Sequence, residues 1–301
     1  MHRALPLLAA AAAALAIALP AAAQEGTLKK VKDSGSITIG HRDASIPFSY
    51  YDDKQRPIGY SMDLCHRIVE AVKSELKMPK VDIKYQLITS ANRIPLMANG
   101  TIDLECGSTT NNLERQKQVW FTITHFVTAN RFVAKRTAKL NKLEDLKGKT
   151  VVSTAGTTNI KQITELNSQK NLGASIISAN GHPEAFLMVE TGRAAAFVMD
   201  DILLYSLVAT SKSPKDFAIS QDALSVEPYG IMLRKDDAAF KKVVDAAMTR
   251  IYKSGEINKI YDKWFLKAIP PKKVNLNVPM GAQFKKVIAN PTSSGDPNDY
   301  K

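Results

Sequence analysis

A chain of 301 residues, 45% of them hydrophobic, can bury sizeable cores, and its length suggests two domains. The formal net charge of +12 admits nucleic acid, an anionic membrane or a small acidic ligand as partner. The lysines are scattered, as at Lys29, Lys30 and Lys32 or Lys272 and Lys273, without the interleaved aromatics of a single-strand binder, so most read as solvated surface and nucleic acid is not expected.

In chain order, residues 1–23 read as a secretory signal: Arg3 gives a positive start, residues 5–19 an uncharged apolar stretch, and Ala21, Ala22 and Ala23 before Gln24 a cleavage pattern. Export to the periplasm as a soluble protein is expected. With no cysteine before Cys65, a lipid-anchored cysteine just after cleavage is excluded. Cys65 and Cys106 are the only cysteines, and no His/Cys cluster has ligand spacing, so neither a metal nor a cofactor is expected. In an oxidising compartment the two cysteines are expected to be bridged rather than free.

Residues 36–40 and 81–87 alternate as strands do, with Val81, Ile83, Tyr85 and Leu87 sharing one face. Between them, residues 61–76 carry Leu64, Cys65, Ile68, Val69, Val72 and Leu76 at helical spacing. A strand at 150–153 and a helix at 157–166 begin a second unit of the same kind, and the apolar runs 174–179 and 194–199 suit buried parallel strands. The halves echo one another: 94–107 and 185–198 both read as helix, glycine stop, strand, and aligning their Leu-Met pairs leaves Gly100 and Gly192 one residue apart. Residues 281–301, with Pro, Ser, Gly, Asp and Asn crowded near the end, read as a loosely held terminus.

Residues 88–112 carry the sharpest chemical signal. Ser90 can cap a short helix containing Arg93, whose cationic fork and the free backbone N–H groups would then face one point, an arrangement suited to a carboxylate. The alternative is a surface helix with Arg93 in solvent. After the stop at Gly100 and an apolar strand come Ser108, Thr109 and Thr110, hydroxyls at the strand's carboxyl end.

Pro47-Phe-Ser-Tyr followed by Gly59-Tyr-Ser-Met-Asp-Leu, the Arg93 helix, Leu146-Lys-Gly-Lys-Thr-Val-Val, Gly156-Thr-Thr, Tyr229-Gly-Ile-Met-Leu-Arg-Lys-Asp-Asp and Ile260-Tyr-Asp-Lys-Trp-Phe together resemble the periplasmic polar amino-acid-binding proteins that feed ABC importers. The resemblance runs over about residues 27–279. Residues 40–52 and 105–112 look like the glutamate/aspartate-binding branch. It implies an α/β, two-lobed, type II periplasmic-binding-protein fold with two hinge strands: one lobe from 27–127 and 229–280, the other from 128–228, followed by the 281–301 tail. It also implies a monomer that binds L-glutamate or L-aspartate between its lobes and delivers it to a membrane permease. Where close relatives can carry a cysteine just after the Tyr-Gly pair, this chain has Ile231, which leaves Cys65 as the only partner for Cys106.

Carried over by position, Arg93 resembles the residue that grips the ligand's α-carboxylate, helped by the backbone at Thr158. Ser90, Ser108 and Thr110 resemble hydroxyl partners, Asp200 the acceptor for the α-ammonium group, and Arg42 and His182 the residues facing the side-chain carboxylate. A histidine so placed binds best when protonated, so affinity would fall as pH rises through the imidazole range. Asp200 or Asp201 could instead cap the following helix, His182 could cap its own, and Arg115 could lie in solvent. His41, His66 and His125 read as structural or surface groups. The rival class is an exported dehydratase on the same fold, which would need a positioned acid or base; Glu105 is the one carboxylate beside the polar cluster.

Overall fold

The computed structural model describes residues 26–301; the signal-peptide expectation lies outside these residues. Among the described residues, two large sheets with helices packed on them are accompanied by two small ones, of three and two strands. The first sheet orders its strands Asp82–Leu87, Ser36–His41, Leu104–Glu105, Met232–Arg234 and Val119–Phe121, so it draws on both ends of the sequence. The second runs Ser175–Ala179, Thr150–Thr154, Ala196–Asp200, Phe126–Lys135 and Phe217–Ile219, with Ser225–Tyr229 also paired to Phe126–Lys135.

Parallel pairing of Ser36–His41 with both Asp82–Leu87 and Leu104–Glu105 buries Ile37 and Ile39 completely. The helix Tyr60–Glu75 covers this sheet with Leu64, Cys65, Ile68, Val69 and Val72, the spacing read from the sequence. Its Cys65 is disulfide-bonded to Cys106. Closing the 41-residue separation is worth about 4 kcal/mol in the chain-entropy account.

Strand 82–87 departs from expectation. It forms the sheet edge, and Tyr85 and Leu87 stay 44% and 45% exposed, because an edge strand has a neighbour on one side only. Tyr85 is engaged instead by His66, whose Nε2 lies 2.9 Å from its hydroxyl. In the second sheet Ala196–Asp200 is buried throughout, as its apolar run implies. Ser175–Ala179 lies at the other edge and is only partly buried.

The internal echo is real in three dimensions. The helices Arg93–Ala98 and His182–Glu190 both stop at a glycine with φ +77°, where Gly100 N–H donates to Met97 and Gly192 N–H to Val189. Each then leads into a short strand of its own sheet. The first helix is not capped by Ser90. Its entry turn is held by Asn92 and Thr89, each side chain accepting from the other's backbone N–H, which leaves the Ser90 hydroxyl buried and unpartnered.

Two antiparallel strands, Phe126–Lys135 and Ser225–Tyr229, carry the chain between the sheets, with Phe126 opposite Tyr229 and Asn130 opposite Ser225. Residues 281–301 do not form a loose terminus. The helix Ala282–Ala289 buries Phe284 and Val287, and Tyr300 is buried as well. The overlooked signal is the i, i+3 spacing of those two apolar residues ahead of the polar stretch.

Candidate functional site

The loops at the carboxyl ends of the strands meet between the two sheets around a small, tightly closed cavity. Ser90, Arg93, Ser108, Thr110, Thr158, His182 and Asp200 all line it, joined by Thr157, Asn159, Met199 and Leu203. Arg42, immediately after the strand Ser36–His41, is buried close by rather than in the wall. A larger cleft, lined by Lys135, Arg136, Lys212, Lys215 and neighbours, lies elsewhere and gathers none of these groups.

The arginines differ in how far they are satisfied. Arg93 is the first residue of its helix and donates from Nη1 to Thr109 Oγ1 at 2.6 Å, while its Nε is buried without a partner. Arg42 has both Nε and Nη1 buried and unpartnered. Arg115 donates to the carbonyl of Thr110 at 2.8 Å and to that of Gly156 at 3.3 Å, which ties the first sheet's loops to the second's. The surface-pair alternative for Arg115 therefore fails. Burial lowers all three guanidinium pKa values, with further repulsion from Arg93 bringing Arg42 to about 10 and Arg115 to about 9.

His182 begins the helix His182–Glu190. Its Nδ1 lies 2.8 Å from Thr154 Oγ1, and its Nε2 is buried without a partner. Burial, then repulsion from Arg42 and Arg93, hold its pKa well below the usual imidazole range, so the ring is neutral. Asp200 ends its strand and makes no side-chain cap on the helix that follows. One of its oxygens accepts from Asn159 Nδ2 at 2.7 Å, and the other accepts from the Tyr229 hydroxyl. Burial and the nearby Glu227 raise its pKa to about 7.

Other contacts close the cavity. Thr158 Oγ1 donates toward Thr110 Oγ1 at 3.4 Å and toward Glu227 at 3.2 Å, and Lys161 pairs with Glu114. Gly156, at φ +74°, lets the second sheet's loop press on the first: a Cβ there would lie 2.5 Å from Ala91 Cα. Ser90 and Ser108 present buried hydroxyls with no partner. Glu105 is fully buried with neither carboxylate oxygen hydrogen-bonded, and its charge acts on Arg42, Arg93 and Arg115.

Sequence reasoning named seven of the lining residues and the neighbouring Thr109, and missed Asn159, Tyr229 and Thr154, which come from distant positions and have ordinary local surroundings. Among the described residues no group of His, Cys, Asp and Glu is arranged to hold a metal, and no helix is long and apolar enough to cross a membrane.

Two α/β lobes closing on a polar cavity define a receptor for a small solute. The chain belongs to the bacterial extracellular solute-binding proteins, family 3, which it matches over residues 37–267. It is 55% identical to the L-glutamate/L-aspartate-binding protein of Pseudomonas aeruginosa, over 95% of this chain and 96% of that one. It is 46% identical to the glutamate/aspartate import solute-binding protein of Escherichia coli, over 91% and 90% of the two chains. Among solved structures, an arginine-binding protein from T. maritima aligns with a TM-score of 0.70 at 27% identity, covering 79% of this chain and 98% of that one. A histidine-bound substrate-binding protein of an ABC uptake transporter from Streptococcus pneumoniae aligns with a TM-score of 0.71 over 81% and 97% of the chains; at 22% identity it shows the fold alone. That fold is the two-lobed type II periplasmic-binding-protein fold.

Proposed function

We propose that this protein is the periplasmic substrate-binding component of an ABC amino-acid importer, that it works as a monomer, and that it binds L-glutamate or L-aspartate in the cavity and delivers it to the membrane permease. The lobes are residues 27–127 with 229–280, and 128–228, joined by the strands Phe126–Lys135 and Ser225–Tyr229. One observation carries the ligand class: the cavity region holds several buried nitrogens and hydroxyls without partners, on Arg42, Arg93, His182, Ser90 and Ser108, together with one well-anchored carboxylate, Asp200. An unpaired buried donor costs about 1–3 kcal/mol, and a ligand with two carboxylates and one ammonium group meets both needs. The relatives that bind glutamate and aspartate support the same reading.

Within the cavity, Asp200 takes the ammonium group. Arg115, beside the lining residues rather than among them, is held by the Thr110 and Gly156 carbonyls within the field of Asp200 and Glu227, and is assigned to the α-carboxylate with the hydroxyl of Thr110 and the backbone at Thr158. This assignment gives Arg93, which also lies within the field of Asp200, a different role from the α-carboxylate grip its motif implies. Arg93 and Arg42 are the two cations that act on His182, and this supports assigning Arg42, Arg93, His182 and Ser90 to the side-chain carboxylate, with Ser108 between the two ends. A dehydratase reading gains nothing from the relatives, which are binding proteins.

Calorimetric titration of the purified protein against the twenty amino acids tests the function. Saturable binding is expected for glutamate and aspartate and none for lysine or arginine. Arg93→Ala and Arg115→Ala separate the roles: each should weaken glutamate by about 2–5 kcal/mol, but only Arg115→Ala should weaken glutamine as strongly.

A further inference from the structure

The loop from Ser108 to Asn112 gives the cavity two hydroxyls, holds Arg93 through Thr109 and accepts Arg115 through the Thr110 carbonyl. On one side the hinge strand and the residue after it fix this loop: Asn111 N–H donates to the Pro228 carbonyl, and Gly230 N–H to that of Thr109. The other side is fixed by the C-terminal segment, which lies beyond the residues matched to the family. Asn111 is completely buried, and its Nδ2 donates to the carbonyls of Ser293 at 2.9 Å and Ser294 at 3.1 Å. Gln116 Nε2 reinforces the join by donating to Asn111 Oδ1 and to the Ser293 carbonyl. Gly295 rests on the loop backbone, where a Cβ would lie 2.8 Å from the Asn112 carbonyl carbon and the Leu113 nitrogen.

The same segment grips the start of the other hinge strand. Thr124 N–H donates to the Thr292 carbonyl at 2.8 Å, and the buried Tyr300 hydroxyl lies 2.7 Å from Thr124 Oγ1 and donates to the Ser294 carbonyl at 2.8 Å. These bonds would be superfluous for a trailing end. They clasp the site loop and the hinge into one body.

We propose that residues 291–301 are a positioning element of the ligand site, acting through Asn111 to hold Ser108, Thr109 and Thr110 where the ligand needs them. This rests on the glutamate-binding reading given above. A site whose walls are placed by supporting contacts loses affinity when those contacts loosen, even though no ligand-touching group has changed.

The test uses full-length Gly295→Val, which pries the segment off the loop, and Asn111→Ala, which removes the bond from the other side. Each should weaken glutamate binding by roughly tenfold, within the range of indirect coupling effects. In the ligand-free protein, amide hydrogen exchange should quicken in residues 108–115 and stay unchanged in the second sheet, a pattern that general destabilisation does not give. Tyr300→Phe, which removes only the hydroxyl, should show the same pattern more weakly and serves if the stronger variants do not fold. Wild-type protein that fails to bind glutamate defeats the functional reading. Wild-type protein that binds, with variants binding within about twofold of it or showing exchange quickened throughout, defeats this proposal instead.

Discussion

Asp200, at the end assigned to the ammonium group, is held on both oxygens, by Asn159 and Tyr229, whereas Arg42, Arg93 and His182, assigned to the side-chain carboxylate, carry buried nitrogens that reach no partner. The contrast matches what each end would meet. The α-ammonium group is common to every amino acid, so its acceptor can be fixed in advance; a side-chain carboxylate is the distinguishing feature, and the groups awaiting it are left unmet. Discrimination follows from that lack, because a ligand without the second charge leaves the donors as unsatisfied as before.

The largest effect should come from the anchored end. Asp200→Ala removes the partner of a buried ammonium group and should weaken every amino-acid ligand alike, by about 3–5 kcal/mol in calorimetric titration. Loss confined to acidic ligands would break the division into a common and a discriminating end. Next in size is the unmet end: glutamate should beat glutamine by about 10- to 1000-fold, equivalent to roughly 2–4 kcal/mol, and Arg42→Met should erase most of that margin while leaving general affinity in place. Wild-type protein that prefers glutamine would overturn the acidic specificity.

The pH dependence sharpens the comparison further. Burial and Glu227 raise Asp200 to about 7, and it must be ionised to accept an ammonium group, so binding expels its proton below that pH. Glutamate affinity should therefore fall as pH drops below 7, by up to about tenfold per unit, and level off above it. This is opposite in sign to the effect expected for a protonated His182. Burial and two arginines keep that ring neutral. Titrations from pH 5 to 8 decide the matter: a rise in affinity on acidification would restore the histidine. The smallest effect belongs to Ser90→Ala, which removes one unpartnered hydroxyl and should cost about 0.5–1.5 kcal/mol for glutamate and much less for glutamine.

What the sequence disclosed follows from what local pattern can encode. The helix expected at 61–76 came from apolar periodicity and the buried strand expected at 194–199 from an unbroken apolar run, and residues 88–112 announced a polar cavity wall because its groups are contiguous. The exposure of Tyr85 and Leu87 depended on which strand ended at the sheet edge, a property of the assembled order that alternation does not carry. Arg115 could be told from a surface arginine only by the Gly156 carbonyl, 41 residues away in sequence. Ser90 carried the composition of a cap, yet Thr89 and Asn92 closed the turn between themselves. The tail misled through its polar residues, whose backbone carbonyls, rather than side chains, make most of the bonds to Asn111 and Thr124.

The way the first sheet is threaded bears on the order in which the chain takes shape during synthesis. The strand Met232–Arg234 lies between Leu104–Glu105 and Val119–Phe121, and Thr27 near the amino end is bonded to Asp237 and Arg234. The opening lobe therefore stays a partial sheet with a missing inner strand until more than 230 residues have left the ribosome. The second sheet, whose last strand ends at Tyr229, has all its parts earlier. The half begun first is completed last, and through that interval the growing chain remains open along one side of its first sheet.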